Sequence, residues 1–263
     1  MKSVFGTITV ILILRSGAYG SLLFSHVGNV DPTLEGWSIG GSLAPNNGVG
    51  IVVGPITNDA GSGLDAWFVD DTSNAVSSNQ SYFQTPTSGE VADGNTLGWI
   101  LSTTIRIPDA SVTAAASPFL LYRDGTRSWD IYFGSDADSD PVVLLPNGGG
   151  AFPNFSGLSF TIEGAGATYH TFDLIYDPIA TTADLYIDGV ERLSDYAGIS
   201  LVTSPGVGWG SGSSADIGQG NFNTVQFSIV PEPRYGVALF ILVALGFGFQ
   251  RYRIQRRAAS ETE

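Results

Sequence analysis

The sequence predicts an all-β fold of two packed sheets, a sandwich or jelly roll, and three observations lead there. Segments of about four to eight residues rich in Val, Ile, Thr, Phe and Tyr recur between clusters of Gly, Asn, Asp and Pro. No interior stretch holds a helical period for long. Glycine and proline supply 34 and 13 of the 263 residues, which is rich in turns but short of low complexity. One sandwich domain commonly uses ~200–250 residues, so residues 21–230 are read as a single domain.

In chain order, strands are expected near 22–26, 37–43, 49–54, 65–70, 97–107, 117–123, 128–133, 141–145, 157–163, 169–176, 182–187, 190–194, 206–210 and 222–229. Residues 110–116 could make one helical turn but read better as a connection. The clearest unit is 169–194. Phe172, Leu174 and Tyr176 alternate with polar residues, and Asp177-Pro178 turns the chain. Thr182 to Ile187 alternates again, with Leu185 and Ile187 on one face and Tyr186 on the other. Asp188-Gly189 then predicts a two-residue turn, because a type I′ turn needs positive φ at both positions.

This run, from Tyr169-His170 through Tyr176-Asp177 to Leu185-Tyr186-Ile187-Asp188-Gly189, resembles the hairpin region of concanavalin A-like and laminin-G-like jelly rolls. Val207-Gly208-Trp209-Gly210, the Gly218/Gly220 turn and Val225-Gln226-Phe227 fit the same pattern. The resemblance implies a two-sheet concanavalin A-like jelly-roll sandwich and gives His170 a structural place. It carries no activity. Trp37, Trp67, Trp99, Trp129 and Trp209 all fall inside the domain. They are expected in the core, where each aromatic ring buries ~150–250 Å². The other reading places one or two on an exposed face, stacked on sugar rings.

Charge excludes one large class of partner. Residues 21–230 hold four arginines, no lysine and 22 acidic residues, a net charge of -18. Such a surface repels phosphate backbones, so nucleic acid is not a partner. With no cysteine there is no disulfide framework, no Cys-ligated zinc and no Cys nucleophile.

Residues 1–20 read as a secretory signal peptide. Lys2 starts it, Val4 to Leu14 is an uncharged and mostly apolar run, and Ala18-Tyr19-Gly20 offers small residues for cleavage. At the other end, Pro231-Glu232-Pro233 precedes fourteen uncharged residues, 236–249, and then Arg251, Arg253, Arg256 and Arg257. This order closely resembles the PEP-CTERM sorting signal of exported bacterial proteins. Segment 231–263 is accordingly read as a sorting and anchor segment with a transmembrane helix over 236–249. The resemblance implies an exosortase of the inner membrane as a processing partner. The arginine cluster stays cytoplasmic, since moving it through the bilayer is costly. The expected location is the inner membrane before processing, then the cell surface or extracellular matrix.

Catalytic and metal signals are sparse. Asp136, Asp138 and Asp140 alternate like the start of a calcium loop, but Pro141 and Asn147 stand where an EF-hand needs Gly and Glu. A simpler calcium site there stays open beside a solvated acidic turn, as it does around Asn58, Asp59 and Asp65 and at Asp70-Asp71. No residue is assigned as a metal ligand. Glycan hydrolysis needs two carboxylates ~5–10 Å apart. The spaced Glu-Asp-Glu run of jelly-roll glucanases does not occur, and Glu35, Glu90, Glu163 and Glu191 are the only glutamates of the domain. His26 and His170 are the only histidines, and neither sits in a triad pattern. No cofactor motif is present. The expectation is a non-catalytic, exported surface or matrix protein associated with extracellular polysaccharide. The alternative is a secreted glycan-active hydrolase or lyase on the same fold.

Overall fold

Two antiparallel sheets face each other, and sixteen strands, numbered β1 to β16 along the chain, build them among the described residues. The computed structural model describes residues 21–40, 50–72, 80–110, 118–149, 156–212 and 218–230, all within the compact unit Gly20–Pro231. The signal-peptide segment 1–20 lies outside the described residues. So do Pro231, Glu232, Pro233, the apolar run 236–249, Arg251, Arg253, Arg256 and Arg257. Among the described residues no helix is long and apolar enough to cross a membrane.

The first sheet holds β1 (Ser21–Val27), β3 (Ile51–Ile56), β4 (Ala66–Asp71), β6 (Trp99–Ala110), β11 (Tyr169–Asp177), β12 (Thr182–Ile187), β13 (Val190–Tyr196) and β16 (Gly218–Ile229). Its order is β13-β12-β11-β6-β16-β4-β3, with β1 paired to β16. The second sheet holds β2 (Ser38–Gly40), β5 (Ser81–Gln84), β7 (Pro118–Arg123), β8 (Arg127–Ser135), β9 (Pro141–Gly149), β10 (Ser156–Thr161), β14 (Ile199–Ser200) and β15 (Gly206–Ser211). Its order is β10-β9-β8-β7-β15-β5-β2, with β14 paired to β8. Two antiparallel sheets with a shared core are consistent with a jelly-roll sandwich.

The core lies between the inner faces. All five tryptophans are buried, and Trp99 is its hub, against Tyr122, Trp129, Tyr176 and Phe227. Trp209 packs on Trp37, Tyr82 and Phe222. No tryptophan is therefore left on an exposed face for sugar. The predicted hairpin is present: β12 alternates as expected, and Asp188 and Gly189 have φ of 50° and 77°.

Three elements differ from the sequence reading. Ser88–Leu97 is an α-helix, α1, where no helix was expected. Its ten residues include two glycines and no apolar stripe, so periodicity could not reveal it. A capping box starts it instead: Thr87 Oγ1 accepts from the Glu90 amide, and Glu90 accepts from the Thr87 amide at 2.7 Å. β5 and the two-residue β14 were also unforeseen, each too short for alternation to show.

Candidate functional site

Successive side chains of a strand point to opposite faces. In β8, Trp129, Ile131 and Phe133 enter the core, so Ser128, Asp130 and Tyr132 point away from it. Register extends this outward face across the second sheet. Arg123, Leu121 and Phe119 of β7 stand opposite Ser128, Asp130 and Tyr132. Gly206, Gly208 and Gly210 of β15 follow, opposite Arg123, Leu121 and Phe119. Phe83 of β5 stands opposite Gly208.

This face turns away from the core and is nevertheless buried at its centre. Phe119 is 5% exposed, Leu121 3% and Asp130 6%. Glycine at the outward positions 206, 208 and 210 of β15 explains the aromatic packing on it. A Cβ on Gly208 would sit 2.2 Å from the Phe83 ring, and one on Gly40 2.4 Å from it. Phe83 therefore lies over bare backbone. Its ring centroid is 6.5 Å from that of Phe119, which is 6.5 Å from that of Tyr132. Three rings thus make a row across β5, β7 and β8.

Asp130 closes this row on one side. Ser128 Oγ donates to its Oδ1, and its amide donates to Tyr196 Oη at 3.2 Å. No described residue donates to Asp130 Oδ2. Burial pushes the Asp130 carboxyl above the usual carboxylate range, with the Ser128 hydrogen bond and the Arg123 charge opposing it. Arg123 Nε reaches Ser128 Oγ at 3.4 Å. No second carboxylate occupies an outward strand position of this sheet among the described residues. Asp130, Phe83 and Phe119 escaped the sequence reading. The alternation in Ser128-Trp129-Asp130-Ile131-Tyr132-Phe133 was the signal that could have placed Asp130 outward.

The acidic loops resolve differently from one another. Asp136, Asp140 and Glu163 bring one carboxylate oxygen each to within 4.8 Å of one another, and Asp138 is not of that group. These three could hold a cation. Asp140 already accepts from the amides of Gly166 and Gly164, at 2.6 Å each, and they hold its carboxyl below the usual range. Asp136 Oδ1 accepts from the Asp138 and Asp140 amides, which shapes the turn. Asp59 is locked elsewhere. Arg106 meets it with two hydrogen bonds of 2.6 Å, and Tyr169 and Asn221 donate at 2.8 Å each. Burial works to raise its pKa, but these donors prevail and lower it. Asp65 accepts from the Asn58 amide, and buried Asp71 accepts from Ser211 Oγ.

Both histidines hold loops. His170 Nδ1 is 2.7 Å from Asp188 Oδ2, which ties the hairpin tip to β11. His26 is buried, 2.6 Å from Glu35 and stacked on Trp209. Burial pulls its pKa down against the opposing pull of Glu35.

No protein-family model matches the chain, and no curated protein sequence does. Among solved structures, a carbohydrate esterase from the Shiga toxin-encoding bacteriophage phi24B is similar at 13% identity and a TM-score of 0.56, over 81% of this chain and 100% of that one. The binding domain of Paraclostridial Mosquitocidal Protein 1 shares 9% identity, with a TM-score of 0.45 over 84% of this chain and 51% of that one. The cellulose induced protein Cip1 shares 16%, with a TM-score of 0.43 over 73% and 90%. At such identity the esterase likeness speaks for the two-sheet sandwich and nothing finer.

Proposed function

We propose that the chain is an exported bacterial surface or matrix protein whose concanavalin A-like domain associates, without catalysis, with extracellular polysaccharide. The observation that carries this reading is the two-sheet sandwich itself, whose second sheet bears a single carboxyl on its outward strand positions among the described residues. Glycoside hydrolysis needs a carboxylate pair, and this face has one member. Asp130, with its raised pKa, is the feature that favours the rival reading of a glycan-active enzyme, as its general acid.

Delivery belongs to the same proposal. The signal peptide exports the domain, and Pro231-Glu232-Pro233 presents the tail to an exosortase. The apolar run 236–249 would hold the chain in the inner membrane until processing, with Arg251, Arg253, Arg256 and Arg257 on the cytoplasmic side. Glu232→Ala is expected to block tail processing, and unchanged cleavage would count against this routing. A glycan array, probed with and without calcium, tests the binding reading. Retention of polysaccharide without release of new reducing ends supports it. Cleaved glycan would establish the enzyme instead.

A further inference from the structure

The chain enters and leaves the domain at one end of the sandwich, and that end also carries unusually exposed apolar side chains. Ser21 and Trp99 both pair with Ile229, so β1 and β6 begin where β16 ends. Tyr176 pairs with Trp99, which places the turn between β11 and β12 there. Trp99 packs on Tyr122 and Trp129, which brings the turn between β7 and β8 to the same end. The Val230 amide donates to Gly98 O at 3.0 Å and ties the exit to it.

Ile179 is 94% exposed and Val202 89%, the two highest values among the large apolar side chains described. Both are held in place. The Ile179 amide donates to Asp177 Oδ1 at 2.7 Å, and the Thr181 amide to Asp177 O at 2.8 Å. On either side of Val202, the Leu201 and Thr203 amides donate to Thr126 O and Gly125 O in the β7–β8 turn. Leu22, at the start of β1, is half exposed beside them. One exposed apolar residue means little, but several at the end where the chain exits mark a contact surface.

The chain beyond Val230 points to what covers this end, on the reading that 236–249 anchors the tail in a membrane. Six steps lead from Val230 to Gly236, and an extended chain of that length reaches at most about 22 Å. The twelve residues of β6 run about 40 Å from this end to the other. The tail therefore keeps this end near the bilayer. Charge favours the same orientation. The turns of this end hold Asp124, Asp177 and Arg127, and α1 beside them adds Glu90 and Asp93. The turns of the opposite end hold Asp136, Asp138, Asp140, Glu163 and Asp188 with no basic residue. Anionic headgroups repel the second set more strongly.

We infer that this end of the sandwich rests on the membrane that anchors its tail, with Ile179 and Val202 inserted among the lipid headgroups. Two turn tips reach that boundary without carrying unpaired backbone into hydrocarbon. The acidic end faces outward, and the chain at Val230 is delivered to the side where an enzyme of the inner membrane works.

The chain has no cysteine, so a single introduced one can carry an environment-sensitive fluorophore. Ile179→Cys, Val202→Cys and, in the acidic turn of the opposite end, Ala137→Cys all place it at exposed positions that leave the fold intact. Each full-length chain is reconstituted in vesicles of phosphatidylethanolamine and phosphatidylglycerol bearing a nitroxide at headgroup depth. Labels at 179 and 202 are expected to be quenched at least twofold, and the label at 137 hardly at all. Adding Ile179→Asp to the Val202→Cys chain should at least halve its quenching, and undiminished quenching overturns the inserted contact. Flotation of the same vesicles separates the two readings. A chain that floats, with no more quenching at 179 and 202 than at 137, overturns this inference and leaves the anchor standing. A chain that does not float overturns the anchor and the inference with it. Disulfide cross-linking between copies of the Val202→Cys chain, in place of quenching, would put a second copy on this end and also overturn it.

Discussion

The two outward faces of the sandwich are built on opposite principles. On the first sheet a row of polar side chains crosses six strands: Glu191, Tyr186, Asp173, Ser102, Gln226 and Ser25. A threonine row, Thr171, Thr104 and Thr224, runs beside it. Their partners lie within the face: Ser102 donates to Asp173 at 2.5 Å, and the Thr104 and Thr171 hydroxyls are 3.0 Å apart. This is the solvated side of an antiparallel sheet. On the second sheet the same positions hold rings, glycines and one enclosed acid. A solvated face needs only side chains that water tolerates. The other face encloses a carboxyl among rings and gives up the outward side chains of β15. The difference teaches that an outward strand position need not be a wet one.

Changes on each face can break or sharpen this contrast. The largest effect is expected from Asp59→Ala at the margin of the first face. It leaves Arg106, Tyr169 and Asn221 without their common acceptor, and losing one member of a buried ion pair costs ~3–5 kcal/mol. Urea unfolding of the variant measures it. A loss under ~1 kcal/mol would mean that water replaces the carboxylate there.

Gly208→Ala comes next. The new Cβ would collide with Phe83, and overpacking of this kind costs ~1–3 kcal/mol. Urea unfolding measures it, and a loss under ~0.5 kcal/mol would show that the Phe83 ring can shift.

Asp130→Asn tests the enclosed acid through its pH dependence. A carboxyl whose folded pKa is raised contributes stability fully below its unfolded value, and loses that contribution as pH rises through the folded value. At neutral pH the charged form is the strained one, so the asparagine variant is expected to melt above wild type. A lower melting temperature at neutral pH would argue against an enclosed acid.

His26 gives the opposite pH sense. Its folded pKa lies below ~6.5, so the native state resists protonation. Stability is complete above ~6.5 and falls as pH drops below it. Melting of wild type and His26→Gln from about pH 7 to about pH 5 should show the fall in wild type alone. The smallest effect is Tyr186→Phe, which removes a rim hydrogen bond to Glu191 and should stay within ~0.5 kcal/mol.

Sequence legibility follows the same division. The 169–194 hairpin could be read because one face of its strands is wet and the other dry, which leaves a period of two. β7 reads Pro-Phe-Leu-Leu-Tyr-Arg and is buried on both faces, so nothing distinguishes outward Phe119 and Leu121 from inward Leu120 and Tyr122. The Asp59 cluster draws on residues up to 162 positions apart, a juxtaposition that only the register of β6, β11 and β16 creates. Helix α1 had a local signal in its capping box but no periodic one. The acidic run at 136–140 was visible as a candidate cation loop. That Glu163 rather than Asp138 joins it depends on the chain returning after β10.

The strand order also fixes how the sandwich responds to mechanical load. Ser21 pairs with Ile229, so β1 begins beside the point where β16 ends. A tether pulling on Val230 draws on β16, which is bonded to β6 on one side and to β4 and β1 on the other. Tension along that strand loads two ladders in shear, so many hydrogen bonds must yield together. A domain held from an edge strand such as β3 or β13 could be peeled away one bond at a time. Val230 is thus the place in the first sheet where a steady pull meets the greatest resistance.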